Sequence, residues 1–246
     1  MNSKKSKAFK SIIKYCQISI ALILALLFII KFAGPQILRQ YIAYGIGDCQ
    51  SIPILCMEPE EKIIQPSEDL KYIQEDLVFQ KFSRLCLSSP KSFALVQELT
   101  QRPYYKKHKK LDKGDVIYLL YQDPGAFLKL YPDVKKQGVA DNFMFIDRLM
   151  RARINKINNI TDAFFVIMKS IFTPDVGSQS IAKMIRFRLH NKRGFIIYNQ
   201  TSGENYFDCG VIDEKDNFFK VYIKDKSGRL DLNKVFSIIY TIQPLN

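Results

Sequence analysis

The feature that most constrains this chain lies at its N-terminus, where a lysine block runs straight into an uncharged apolar stretch. Lys4, Lys5, Lys7, Lys10 and Lys14 stand among the first fourteen residues with no acid, and Tyr15 to Ile30 then carries no charge. At 1.5 Å per residue that stretch spans about 24 Å as a helix, a little short of a hydrocarbon core of about 30 Å. Extending it from Ile12 to Phe32, with Lys14 and Lys31 snorkelling to the two interfaces, brings it to about 31 Å. The pattern predicts a transmembrane signal-anchor over residues 15–32, behind a basic tail at 1–14.

Orientation follows from charge asymmetry. Only Lys31 and Arg39 follow the apolar run closely. The positive-inside rule therefore keeps the tail in the cytoplasm and sends the rest outward. A cleaved signal peptide is the rival reading. Small residues at cleavage spacing, Ala43 and Gly45, lie far beyond the run, which favours an uncleaved anchor. Both readings put the C-terminal part in the periplasm or outside the cell, attached to or released from the cell membrane.

Cysteine usage agrees with export. Cys16 falls in the apolar run, and Cys49, Cys56, Cys86 and Cys209 follow it. An even number in an oxidising compartment suggests two disulfides. Cys49 and Cys56 are near neighbours in a Pro-containing stretch, so a small local loop is expected. Cys86 is then left to pair with Cys209.

The remaining pattern reads as an α+β protein. Residues 33–66, with Gly34-Pro35 and several further prolines, read as a connector. Residues 67–246 read as one globular domain, helical over 67–190 and β-rich over 191–246. Ser67 is expected to cap one helix and Ser89-Pro90 to open another. Val116 to Tyr121 is a strand or a buried helix. Asp141 is expected to cap a helix running to about Ile157, and Thr161 one running to Phe172, where Thr173-Pro174 ends it. Phe195–Tyr198, Tyr206–Ile212 and Phe218–Ile223 read as a small antiparallel meander. Ser227-Gly228 suggests a further hairpin returning Arg229–Leu232 onto Lys220–Lys224. Val235–Ile242 closes the chain as a helix or a strand.

Charge is the main functional clue. The formal net charge is +13, concentrated in two regions. One holds Lys106, Lys107, Lys109 and Lys110; the other includes Arg151, Arg153, Arg186 and Arg188. Such clusters suit an anionic partner, such as lipid headgroups or an acidic envelope polymer, although lysine-rich proteins also carry solvated basic faces of no special role. Export and the lack of a recognisable nucleic-acid-binding motif argue against nucleic acid.

Catalytic signatures are scarce. The sequence has two histidines, His108 and His190. His190 precedes Cys209 by 19 residues, and pairing of their strands would let an imidazole activate the thiol. That pair is the basis of an alternative reading as an exported transpeptidase- or peptidase-like thiol enzyme. There is no phosphate loop, dinucleotide turn or metal-ligand spacing, so no cofactor and no metal is expected. The preferred reading is a membrane-anchored envelope protein with a non-catalytic binding or scaffolding domain, working beside other envelope proteins.

Overall fold

A computed structural model describes residues 18–28, 31–65, 77–81, 84–97, 114–173, 182–201 and 204–245. After an apolar helical stretch at 18–28 come α1 (Gly34–Ile46), a 3-10 turn (Pro53–Leu55), and strands β1 (Glu60–Ile64), β2 (Leu77–Lys81), β3 (Leu85–Pro90), β4 (Ala94–Gln97) and β5 (Val116–Gln122). Next are α2 (Ala126–Leu130), a 3-10 turn (Pro132–Gln137), α3 (Asn142–Arg151), a third 3-10 turn (Ile154–Lys156) and α4 (Ile160–Phe172). Strands β6 (Lys183–Leu189), β7 (Lys192–Thr201), β8 (Glu204–Asp213) and β9 (Phe218–Asp225) lead to α5 (Leu232–Thr241) and β10 (Gln243–Pro244).

The strands form a seven-stranded sheet in the order β1-β6-β7-β8-β9-β5-β4 and a three-stranded sheet in the order β10-β3-β2. The meander β6 to β9 is antiparallel, and β5 joins β9 antiparallel. The two outer strands, β1 on β6 and β4 on β5, pair parallel. Side chains alternate across this sheet with period two. Phe195 and Ile197 face a core shared with α1, α2, α3 and α4. Ile196, Phe207, Cys209 and Val211 face a second core, covered by α5 and the small sheet. Three layers result, with the large sheet in the middle. Between β7 and β8 the backbones approach so closely that a Cβ on Gly194 would lie 1.9 Å from the Gly210 carbonyl oxygen. Glycine is required there for space.

Several sequence expectations are corrected. No helix among the described residues is long and apolar enough to cross a membrane. Gly34-Pro35, expected in a connector, opens α1, since proline needs no amide donor in a first turn. The region expected to be helical from residue 67 carries β2, β3 and β4, Ser89-Pro90 ends a strand, and of the two readings of Val116–Tyr121 the strand is found, as β5. The sheet is accordingly large and mixed, starting at β1 within the supposed connector. Arg229–Leu232 makes no hairpin with β9, because β5 already occupies that edge of β9. The expected Ser67 cap and the Lys106–Lys110 cluster lie outside the described residues, as does Cys16.

Helix ends follow local chemistry. Asp141 Oδ1 accepts from the Met144 amide at 2.6 Å and starts α3, which ends at Arg151, short of Ile157. The cap of α4 is Asn159, whose Oδ1 accepts from the Asp162 amide at 2.9 Å, and Thr161 lies inside the helix. Asp231 caps α5 in the same way through the Lys234 amide. The start of α3 is tied to the β8–β9 turn. Asp216, held at φ 63°, accepts from the Gly125, Asn142 and Phe143 amides, and the buried Asn142 side chain bridges Phe127, Asp123 and Asp216 backbone groups.

Cys49 and Cys56 are joined by a disulfide with Cα atoms 5.6 Å apart. Cys86 and Cys209 are buried free thiols, so the second expected bridge is absent. Alternation explains it. Leu85 and Leu87 point from β3 into the core that receives Cys209, and Cys86, between them, points the other way. On denaturation without reductant, alkylation is expected at Cys86 and Cys209, and at Cys49 and Cys56 only after reduction. A loop of this size contributes about 2.5 kcal/mol in the chain-entropy model, so reduction should lower the melting temperature measurably. An unchanged melt would show that the bridge contributes nothing to stability.

Candidate anion-binding recess

The C-terminal half of α3 and the turn after it frame a recess of about 460 Å³, closed on the other side by the start of α4. Phe145, Ile146, Leu149 and Met150 are buried and fix the orientation of α3. Helical spacing then leaves Arg148 and Arg151 on its outer face, near the negative end of the helix dipole where cations are favoured. Arg153 and Lys156 follow in the 3-10 turn region, completing four cations in the recess wall.

Both carboxylates of the recess are already engaged. Asp147 Oδ1 accepts from Arg186 Nε at 2.6 Å, and Asp162 Oδ2 accepts from the Asn158 amide at 3.0 Å. Arg153 pairs with Glu58 at 2.7 Å, outside the recess. Arg148 donates to the Gln137 carbonyl at 2.9 Å and lies 5.0 Å over the Phe165 ring, so it is oriented by neutral partners. Arg151 is exposed and Lys156 is exposed, and neither forms an ion pair among the described residues. The arrangement favours an anion by Coulomb attraction at a partly enclosed surface.

Behind the recess stands a residue that the sequence reading passed over. Lys169 is fully buried in α4. Its Nζ donates to the carbonyls of Met150 at 2.7 Å, Ala152 at 3.0 Å and Met57 at 3.3 Å. Met150 belongs to the last turn of α3 and Ala152 is its C-cap, where helix carbonyls have no intrahelical donor. Lys169 thereby fixes the backbone that carries Arg151 and Arg153. Burial, assisted by Arg153, pulls its pKa down to about 7. The available sequence signal was a lone lysine on the buried stripe of α4, beside Phe165, Val166 and Met168.

The other sequence-predicted residues separate. Arg186 is committed to structure: its Nη1 donates to both oxygens of Glu61 at 2.9 Å while its Nε holds Asp147. Arg188 is exposed two residues further along β6. Neither lines the recess with Arg151 and Arg153. The thiol pair is not assembled. Cys209 faces Ile196 across the β7–β8 ladder, and His190 lies beyond the end of that ladder, past the Lys192–Asp213 pair. Four residues along a strand separate those rows by about 13 Å. Cys209 is also completely buried, and burial together with Asp208 pushes its pKa well up, which opposes thiolate formation.

Among the described residues no group of three or more histidine, cysteine or acidic side chains is placed to hold a metal ion. In comparison with known proteins, no family model, no curated protein and no solved structure matches this chain.

Proposed function

We propose that this chain is a non-catalytic binding module that works outside the cytoplasm at a membrane surface and engages an anionic partner. The carrying observation is the recess of α3 and α4, which four cations line, two of them, Arg151 and Lys156, exposed, while both carboxylates are engaged by hydrogen bonds. The Cys49–Cys56 disulfide supports an oxidising compartment. Apolar residues exposed along 18–28, followed by Phe32, Ile37, Tyr41 and Tyr44, support contact with lipid or with other envelope proteins. An acidic headgroup and an acidic polymer offer the recess the same chemistry.

Arg151 and Lys156 are the discriminating residues, because they are exposed and without an ion pair among the described residues, so their loss should leave folding intact. The double substitution Arg151→Gln, Lys156→Gln is expected to weaken association with vesicles containing phosphatidylglycerol, or with a soluble acidic polysaccharide. At about 1 kcal/mol for each cation near an anionic surface, the loss is roughly tenfold or more. It should shrink as salt rises, since the screening length is about 8 Å at physiological ionic strength. Equal binding of both proteins to both probes would remove the recess as the site.

A further inference from the structure

A second cavity, of about 590 Å³, lies on the opposite layer, between the β6–β7 hairpin, the β8–β9 turn and the end of α5. Its volume is in the range of small-ligand pockets. Lys192 lines it, although the residue is only 7% exposed. The ammonium donates to the Tyr240 carbonyl at 3.0 Å and the Asn191 Oδ1 at 3.3 Å. Both acceptors are neutral, and Lys192 forms no ion pair among the described residues. An ammonium carries three donors, of which these two acceptors take two, and Nζ also lies 5.7 Å over the Tyr240 ring. A desolvated charge without a counter-ion is costly, and buried charges are ordinarily paired.

The nearby acids do not supply that counter-ion. Asp213 is opposite Lys192 in the β7–β8 register, but its two oxygens accept from the Lys215 amide, the Asn217 amide and the Asn217 side chain at 2.8–2.9 Å. Glu214 is exposed at the rim with Lys215 beside it. Asp213 and Glu214 raise the lysine pKa somewhat, yet burial outweighs them and the net direction is down.

Strain at the hairpin tip is a separate observation. Leu189 pairs with Lys192, so His190-Asn191 is a two-residue turn. His190 takes its first central position at φ 48°, where glycine is favoured. Its ring lies 6.1 Å from that of Tyr240, and both residues line the cavity. Strained residues of this kind concentrate at functional sites. Phe79, half exposed, and Pro244 add an apolar wall.

We infer that this cavity binds a small organic carboxylate, its charged end on Lys192 and His190 and its apolar body against Phe79 and Pro244. The shared chemistry, a carboxylate on an apolar group, comes either from a free acid or from the C-terminus of a peptide. Titration of the full chain with 3-phenylpropionate and with Gly-Gly-Phe, each as acid and as amide, separates these. Amidation of whichever probe binds should weaken it by roughly tenfold to a hundredfold, as expected for a hydrogen bond between charged groups. Tighter binding of the peptide acid assigns the source to a chain terminus, and comparable binding assigns it to a free carboxylate. Lys192→Met should lose the same factor. Because that substitution alters a buried residue, His190→Gly provides a second variant that relieves backbone strain; it should bind roughly fivefold more weakly with an unchanged or raised melting temperature. Equal affinity for acid and amide, unchanged affinity in Lys192→Met, or no saturable binding of either acid below about 10 mM would overturn the assignment.

Discussion

Replacing Lys220 with methionine is expected to destabilise the fold by about 3–5 kcal/mol, a large fraction of the stability of a typical domain. Lys220 on β9 and Asp208 on β8 form an ion pair on the helix-covered side of the sheet, with side chains only 10% and 1% exposed. They are diagonal neighbours, since Gly210 faces Lys220 and Asp208 faces Tyr222 in the register. Without the ammonium, the Asp208 carboxylate stays buried beside Tyr222, whose phenol is already pushed up by burial and by Asp208. The double substitution Asp208→Asn, Lys220→Met should recover a substantial part of the loss, because the stranded charge goes with its partner. Urea unfolding of the four proteins measures the coupling. A change under about 0.5 kcal/mol for Lys220→Met alone would show that the pair contributes little.

The second large effect is expected from Lys169, and its signature is pH. Its folded pKa of about 7 lies below the ordinary lysine value of 10.5. Between these values the unfolded chain binds more protons than the folded one, so stability rises with pH through that window. This is the reverse of a lysine whose pKa is raised by a salt bridge. Below pH 7 the full cost of burying the ammonium is present, and it lifts as pH climbs toward 10.5. The whole window corresponds to at most about 5 kcal/mol, at 1.36 kcal/mol per pKa unit. Lys169→Met removes this titration and also the three carbonyl contacts. The stability of the wild-type protein minus that of Lys169→Met should therefore grow steadily from pH 7 to pH 10 in parallel urea titrations. A difference that is flat across that range would mean that Lys169 titrates as an ordinary amine in the folded protein.

Both effects arise from charged residues whose importance is invisible along the chain. Lys220 sits in Phe218-Phe219-Lys220-Val221, where alternation makes it an apparently solvent-facing residue of a meander strand. It is buried because α4 packs over that face, with the Phe172 carbonyl 3.5 Å from Nζ. Lys169 stands in an apolar helix and becomes a structural clamp only when the end of α3 arrives against it.

What the sequence determined by itself was local. Side-chain caps and short-range covalent geometry act over a few residues, so the helix started by Asp141 and the Cys49–Cys56 loop were readable. The aromatic and β-branched runs of β7, β8 and β9 were readable for the same reason, because period-two alternation is a property of the strand itself. Tertiary structure decided the rest. Whether Leu85 to Pro90 is helix or strand depended on pairing with β2 and β10, which are distant in sequence. The apolar N-terminal run was read as a span from its uncharged length, and no helix among the described residues is long and apolar enough for one. Cys86 and Cys209 were separated by the side of β3 each one occupies, and Arg151 and Arg153 were separated from Arg186 and Arg188 by a helix packing on a sheet. Such outcomes turn on which face meets which across tens or hundreds of residues, and a linear pattern carries no record of that meeting.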